Sequence, residues 1–270
     1  MNILVLIKPV PDPEKEKDVR IDAESGRLIR DGIPHVIDPE SRNALETALQ
    51  LAEQSGRGQS AVIALAMAPE QAKDKLVEAL AMGADEAILL SDKAFGGADT
   101  YATSYTLAAA VRRIEEVKAF TFDLILAGTS SADGGTSHVA VQVAEWLGRT
   151  HISNVCRLDV SGETLCAVKR SEEVMLTFEG GEPAVIGVTR DINKPRFVTA
   201  MGIIKARKKP LTIWDAGDLG IDTERTGLAG SPTRPGRMFD PEQGRAGETI
   251  GETPEEAVAG ILQIIRKAGV

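Results

Sequence analysis

Through the first half of the chain, short continuous apolar runs alternate with stretches where apolar residues recur every three or four positions. The runs Ile3–Ile7, Ala61–Ala66, Ala87–Leu90 and Asp123–Ala127 predict strands buried on both faces. The periodic stretches between them predict helices. One opens at Asp38-Pro39-Glu40, with an N-cap acid, a first-turn proline and a second acid, and carries the stripe Ala44, Leu45, Ala48, Leu49 and Ala52. Others run over Ala72–Met82, closed by Gly83, over Asp99–Val117, and from His138 to Leu147. Between the first strand and first helix, the prolines of Lys8-Pro9-Val10-Pro11-Asp12-Pro13 end the strand. Val19–Asp22 and Arg27–Arg30 then flank Ala23-Glu24-Ser25-Gly26, which has hairpin-turn chemistry.

Strand–helix alternation at this density predicts an α/β fold: a Rossmann-like parallel sheet covered by helices on both faces. Ligands in such sheets bind beyond the carboxyl ends of the strands, so the loops after Ile7, Ala66 and Ala127 are expected on one edge. After His151 the texture changes to short strands, Val155–Val160, Thr164–Val168, Val174–Phe178 and Ala184–Val188, which are expected to extend the sheet. From Ala216 the chain turns rich in Gly, Pro and charge and loses periodicity. A capping box at Thr253-Pro254-Glu255-Glu256 then opens a helix striped by Ala257, Ile261, Ile264 and Ile265. The expected division is an α/β domain over residues 1–215 and an extended arm over 216–270. The tail helix must lay its stripe either on its own domain or on another chain.

Composition narrows the function. Aromatics make up only 4% of the 270 residues, so the core is built from small aliphatics, which suits helices packed on a parallel sheet. A net charge of −9 excludes a general nucleic-acid binder. Within this acidic chain, Lys205, Arg207, Lys208 and Lys209 form a basic run, read as a solvated helix face or a contact for an acidic partner. The two cysteines, Cys156 and Cys166, stand on neighbouring predicted strands, lack metal-ligand spacing, and are expected reduced. The run Met1–Lys8 is too short for a signal peptide and no window reaches transmembrane length, so cytoplasmic residence without membrane insertion is expected.

The segment Gly128–Ser137 is the best candidate for chemistry. It follows a strand, precedes a helix, and combines Gly, small hydroxyl residues and Asp133. Backbone N–H groups at a helix N-terminus suit a phosphate, and Thr136 and Ser137 can add hydroxyl donors. The Lys and spacing of a P-loop are absent, and a plain flexible loop has the same composition. Asp133 can cap the helix or bind the ligand; His138 has no second ligand at metal spacing. No nucleophile–base set, metal cluster or carboxylate pair emerges, which points to a carrier or binding subunit without catalytic residues.

The stretches Ile3–Asp12, Ile37–Ala48, Ala79–Asp85, Asp123–Gly128 with the following Asp-Gly-Gly-Thr, Val168-Lys169-Arg170 and above all Pro183–Lys209 are similar, in order and spacing, to those of electron-transfer flavoprotein beta subunits. The resemblance covers nearly the whole chain. It implies an adenine-nucleotide-binding fold and an alpha-subunit partner that carries the redox FAD. The heterodimer would shuttle electrons between a dehydrogenase and an acceptor. The family's nucleotide positions fall on Leu6, on Asp38, Pro39, Glu40 and Ser41, on Met67, and along the loop on Gly128, Thr129, Ser130, Asp133, Gly134, Gly135, Thr136, Ser137, His138 and Val139.

Family beta subunits hold AMP or, in the electron-bifurcating branch, a second FAD. Pro13 after Asp12, where AMP-type members carry an aromatic residue, and Asp-Gly-x-Thr at 133–136 resemble the bifurcating branch; Gly135 departs from its second acidic place. FAD is therefore the expected nucleotide here, with AMP the alternative. Family members also dock on acyl-CoA dehydrogenases through a Leu anchor after Pro-Arg-aromatic. Here Pro195-Arg196-Phe197 leads to Ala200, too small for an anchor, with Met201 as the substitute. The competing readings are an adenosine-nucleotide-binding regulatory module and an ATP-dependent adenylating enzyme, whose pyrophosphate loop and catalytic Lys the segment 128–137 lacks.

Overall fold

A computed structural model describes residues 1–12, 14–15, 20–21, 28–29, 34–56, 60–162, 164–181, 183–234, 236, 247 and 249–269. It divides into two compact units, Met1–Arg20 with Leu28–Gly236, and Ile21–Arg27 with Arg237–Val270.

The chain opens with β1 (Asn2–Leu6) and four short strands, β2 (Pro9–Pro11), β3 (Arg20–Ile21), β4 (Leu28–Ile29) and β5 (His35–Ile37). The turn expected at 23–26 lies outside the described residues. There follow α1 (Pro39–Gln54), β6 (Ala61–Met67), α2 (Lys73–Met82), β7 (Glu86–Leu90), α3 (Thr100–Lys118), β8 (Leu124–Gly128) and α4 (Val139–Leu147). The remainder of the first unit is β9 (Thr150–Ser161), β10 (Thr164–Ser171), β11 (Val174–Gly180), β12 (Ala184–Val188), α5 (Ala200–Ala206), β13 (Leu211–Trp214) and α6 (Ala216–Leu219).

Nine strands form one sheet in the order β11-β10-β9-β12-β8-β1-β6-β7-β13. From β9 to β13 every pairing is parallel; β10 and β11 add an antiparallel hairpin. The expected α/β sheet is thus present, and the late strands do extend it. They differ in two respects. β9 begins at Thr150, and β12 inserts between β9 and β8, because its five residues are all buried and need cover on both faces.

Successive residues of β1 serve opposite layers, as strand geometry requires. Ile3 and Val5 pack with Ala44, Leu45, Leu76 and Leu80 of α1 and α2. Leu4 and Leu6 pack with Val111, Ile114 and Val143 of α3 and α4. The cover reaches Leu165 and Ala167 of β10 and stops before the edge strand: no residue of β11 is buried, and Val174, Met175, Leu176 and Phe178 are exposed.

Although the composition changes at Ala216, residues 216–236 remain in the first unit. Thr226 Oγ1 donates to the carbonyl of Ala94 at 3.1 Å, and Leu228 N–H to that of Gly96 at 2.9 Å. Thr233 donates to Asp99, the N-cap of α3, through its N–H at 3.0 Å and its hydroxyl at 2.6 Å. Gly227 and Gly230 permit this strap, since a Cβ at either would stand 2.1 Å from backbone atoms. The basic run also has a use beyond solvation. Lys209 Nζ donates to the carbonyls of Leu80, Gly83 and Ala84, closing the C-terminus of α2 where a cation is favoured. Cys156 and Cys166 are both free thiols, on β9 and β10.

In the second unit, α7 (Pro254–Ala268) follows the expected capping box of Thr253 and Glu256 and ends at Gly269 with φ +76°. Ile250 lies over the bare backbone of Gly260, where a Cβ would stand 2.1 Å from its methyl. Val258, Ile261, Leu262, Ile264 and Ile265 are exposed.

Candidate functional site

In sheet order β1 stands between β8 and β6. The chain leaves β1 through α1 to build one side of the sheet and later returns through β8 to build the other. The crevice where strand order reverses is the usual ligand position of such sheets. Leu6, Met67 and Gly128 are the last residues of β1, β6 and β8, so three of the expected positions share that edge.

Asp38 organises it. Only 1% exposed, it caps α1 by accepting the N–H groups of Glu40 at 3.0 Å and Ser41 at 3.2 Å, with Pro39 following it. Its other oxygen accepts the N–H of Ala132 at 2.8 Å, and Glu40 accepts that of Ser130 at 2.7 Å. The start of α1 therefore grips the loop after β8 from below. Gly128 makes the approach possible: a Cβ there would stand 2.7 Å from that of Glu40. Burial pushes the Glu40 carboxyl up, an effect the Ser130 N–H opposes and the charge of Asp38 increases.

From Ala132 to His138 the loop is exposed, turned back on itself by the N–H of Gly135 donating to the carbonyl of Ser131 at 2.9 Å. Gly135 and Ser137 have φ of +60° and +57°, two left-handed residues with Thr136 between them. For serine this conformation carries strain, and strain of this kind collects at ligand sites. His138, the N-cap of α4, makes no side-chain capping bond, so the first N–H groups of α4 lack the partner that Asp38 supplies to α1. Asp133 does not cap α4 either. It accepts from Lys8 Nζ at 2.5 Å, and Lys8 also donates to Ser131 Oγ at 2.9 Å. Burial disfavours the charged Asp133 carboxylate, but the Lys8 bond and charge outweigh it and hold the group below its usual range.

The remaining expected positions differ in their local surroundings. Thr129 Oγ1 accepts the N–H of Asn154 at 3.1 Å, which ties the loop to β9. Leu6 is core, Met67 half-buried, and Val139 begins α4. Ser131 lies within the segment 128–137 that the sequence singles out, whereas Lys8 joins the site without a motif of its own; a lone cation directly after a buried strand is its single sequence signal. Among the described residues there is no cluster of three metal-ligating side chains.

Two hollows lie elsewhere. One of about 540 Å³ is lined by His151, Lys169 and Phe178, among others. Burial, followed by the charge of Lys169, pushes the His151 imidazole down. The other, about 430 Å³, lies between α2 and α5 beside Arg196. Arg196 binds Glu46 and Glu53 together: Nε and Nη2 reach Glu46 at 2.8 and 3.1 Å, Nη1 and Nη2 reach Glu53 at 2.8 and 3.2 Å. Asn193 interlocks with Asn43 and Thr47 one turn away. The expected docking segment Pro195–Met201 is thus fastened to α1. Phe197 is 91% exposed, with Met201, Ile203 and Ile204 exposed beside it. No helix among the described residues is long and apolar enough to cross a membrane.

The electron transfer flavoprotein domain model matches residues 25–219. An electron transfer flavoprotein subunit beta of Clostridium acetobutylicum is 39% identical over 267 residues, covering 99% of this chain and 98% of its own length. The caffeyl-CoA reductase-Etf complex subunit CarD of Acetobacterium woodii is 39% identical over 262 residues, covering 97% and 96%. Protein FixA of Azorhizobium caulinodans is 35% identical over 269 residues, covering 97% and 92%. The regulatory-module reading finds no support among these names. With the switch-point site at the sheet edge and relatives matched from end to end, the chain belongs to the electron transfer flavoprotein family, on the side of its beta subunits.

Proposed function

We propose that this chain is the nucleotide-holding, non-catalytic subunit of a heterodimeric electron carrier, pairing with an alpha subunit that carries the electron-transferring FAD. The observation that carries the reading is the exposed loop 132–138. It has two positive-φ residues and leads into a helix without a side-chain cap, above the α1 terminus at the switch point. Backbone N–H groups so arranged, with Lys8 beside them, fit a phosphate. The nucleotide lies along Leu6, Asp38–Ser41, Met67 and Gly128–Val139. FAD is the preferred occupant on the resemblance of Val10-Pro11-Asp12 and Asp133–Thr136 to the bifurcating branch, with AMP the alternative. A bound flavin supplies electron transfer in one- or two-electron steps. This chain's residues hold its phosphates and set its position against the sheet edge; none acts as a general acid or base.

The dehydrogenase partner docks on Phe197, Met201, Ile203 and Ile204. The exposed Phe197 ring and the Met201 side chain take the anchoring part that Ala200 is too small to play. A relative named for a caffeyl-CoA reductase complex supports a partner that handles CoA thioesters. Residence in the cytoplasm completes the reading, supported by the free thiols of Cys156 and Cys166.

Flavin stoichiometry tests it. The chain is co-purified with its alpha subunit, and the extracted cofactor is resolved by absorbance and chromatography. Two flavins per heterodimer place FAD in this chain; one flavin with AMP in the extract places AMP there. One flavin with no second nucleotide overturns the reading.

A further inference from the structure

Three carboxylates stand around the loop after β8: Asp38, Glu40 and Asp133. The charge of Arg190 acts on Glu40 and that of Lys8 on Asp133. Asp38 and Glu40 are committed to the backbone N–H groups of Ala132 and Ser130 and hold the loop in place. The Lys8–Asp133 pair is different in kind. Its side chains are 47% and 23% exposed, the setting in which an ion pair is weak and screened by salt.

Lys8 is nevertheless fixed at its base. Its N–H donates to Ser41 Oγ at 3.2 Å, and its carbonyl accepts the N–H of Asp38 at 2.9 Å. The backbone is bound to the start of α1 while the ammonium crosses to the opposite loop. There Nζ stands 3.6 Å from the place a Cβ on Gly134 would occupy, against bare backbone leading to Gly135 and Ser137. A phosphate settling on that backbone meets the ammonium directly, and meets Asp133 as a like charge. Both charges are relieved if the phosphate takes Asp133's place on Lys8 and the carboxylate turns to water.

Resting on the nucleotide reading above, we propose that Lys8 is the phosphate-reading residue of this site. Asp133 is its resident counter-ion, which the phosphate of an adenine nucleotide displaces. A lysine serves here as a point charge, and the loop backbone supplies direction. The loop thus has a charge-balanced resting state that the ligand exchanges without stranding an ion.

Calorimetric titration of the full-length chain, freed of nucleotide, with AMP and with adenosine provides the test. Wild type is expected to prefer AMP. Lys8→Met is expected to weaken AMP on the order of tenfold to a hundredfold and to leave adenosine within about twofold. Asp133→Asn is expected to bind AMP more tightly than wild type, because the phosphate no longer has to displace a like charge from Lys8. Should Lys8→Met lose both ligands, Lys8→Arg decides: recovered AMP preference supports the charge role, and its failure overturns it. A Lys8→Met variant that keeps the full AMP preference overturns the proposal. So does an Asp133→Asn variant weakened as much as Lys8→Met. Equal binding of both ligands by wild type removes Lys8 from phosphate reading while the nucleotide site stands. Binding of neither removes the nucleotide site itself.

Discussion

Helix α1 carries two segments that arrive from far along the chain, and it holds them by opposite means. At its N-terminus, Asp38 and Glu40 hold the loop after β8 through backbone N–H groups, leaving residues 132–138 exposed and tied by one half-exposed ion pair. Along its flank, Asn43, Glu46, Thr47 and Glu53 lock Asn193 and Arg196 by side chain to side chain, with Glu46 only 4% exposed. The first arrangement leaves donors for a ligand and a contact cheap to exchange. The second removes freedom from a segment that projects an apolar ring into water. A site that receives a small anion keeps some bonds open, whereas a surface meant for a protein partner gains from being preorganised.

Breaking the flank has the largest expected effect. Arg196→Met leaves Glu46 buried without its cation, a loss of about 3–5 kcal/mol of stability in urea unfolding. A loss under about 1 kcal/mol, the value of an exposed pair, would show that the clamp does not lock the segment. Next is Gly128→Ala, whose Cβ meets Glu40 at 2.7 Å and its backbone at 3.1 Å, so α1 and the loop must part. The expected cost is about 1–3 kcal/mol together with lost nucleotide retention.

Gly135→Ala sharpens the contrast. No atom lies within 4 Å of its Cβ position, and the sole penalty is the left-handed φ of +60°, about 1 kcal/mol. A Gly135 variant worse than the Gly128 variant would invert the division between gripped and open parts of the loop.

The smallest effect is that of Glu40→Gln. Burial raises the Glu40 carboxyl above its ordinary 4.5, so its contribution to stability is full below that pH and is lost as pH rises through the raised value. Gln carries no charge to bury. The variant is therefore expected to match wild type below pH 4.5 and to equal or exceed it at neutral pH, as followed by thermal melts. A neutral-pH deficit would assign Glu40 a needed charge.

Local chemistry made much of this legible. Asp38-Pro39-Glu40 announces the start of α1 because capping is decided within four residues, and Thr253–Glu256 announces α7 in the same way. The apolar runs announce β1, β6, β7 and β8 because a strand buried on both faces tolerates little else. β13 was harder to see: four residues, Leu-Thr-Ile-Trp, become a strand only because β7 offers an edge. The strap at 226–233 has no periodicity to betray it, since its bonds go to Ala94, Gly96 and Asp99.

By itself, then, the sequence determined the central strands and the long helices, their alternation, the edge on which the loops after β1, β6 and β8 open, and the family. The tertiary structure alone decided which groups on that edge meet. Lys8 and Asp133 are 125 residues apart, and Arg196 and Glu46 are 150 apart. Neither pairing is written locally, because a charge at a strand end or on a helix flank looks the same whether it faces solvent or a partner. Only the packing of α1 between two distant segments, with Gly128 allowing the close approach, turns those charges into a latch on one side and a lock on the other.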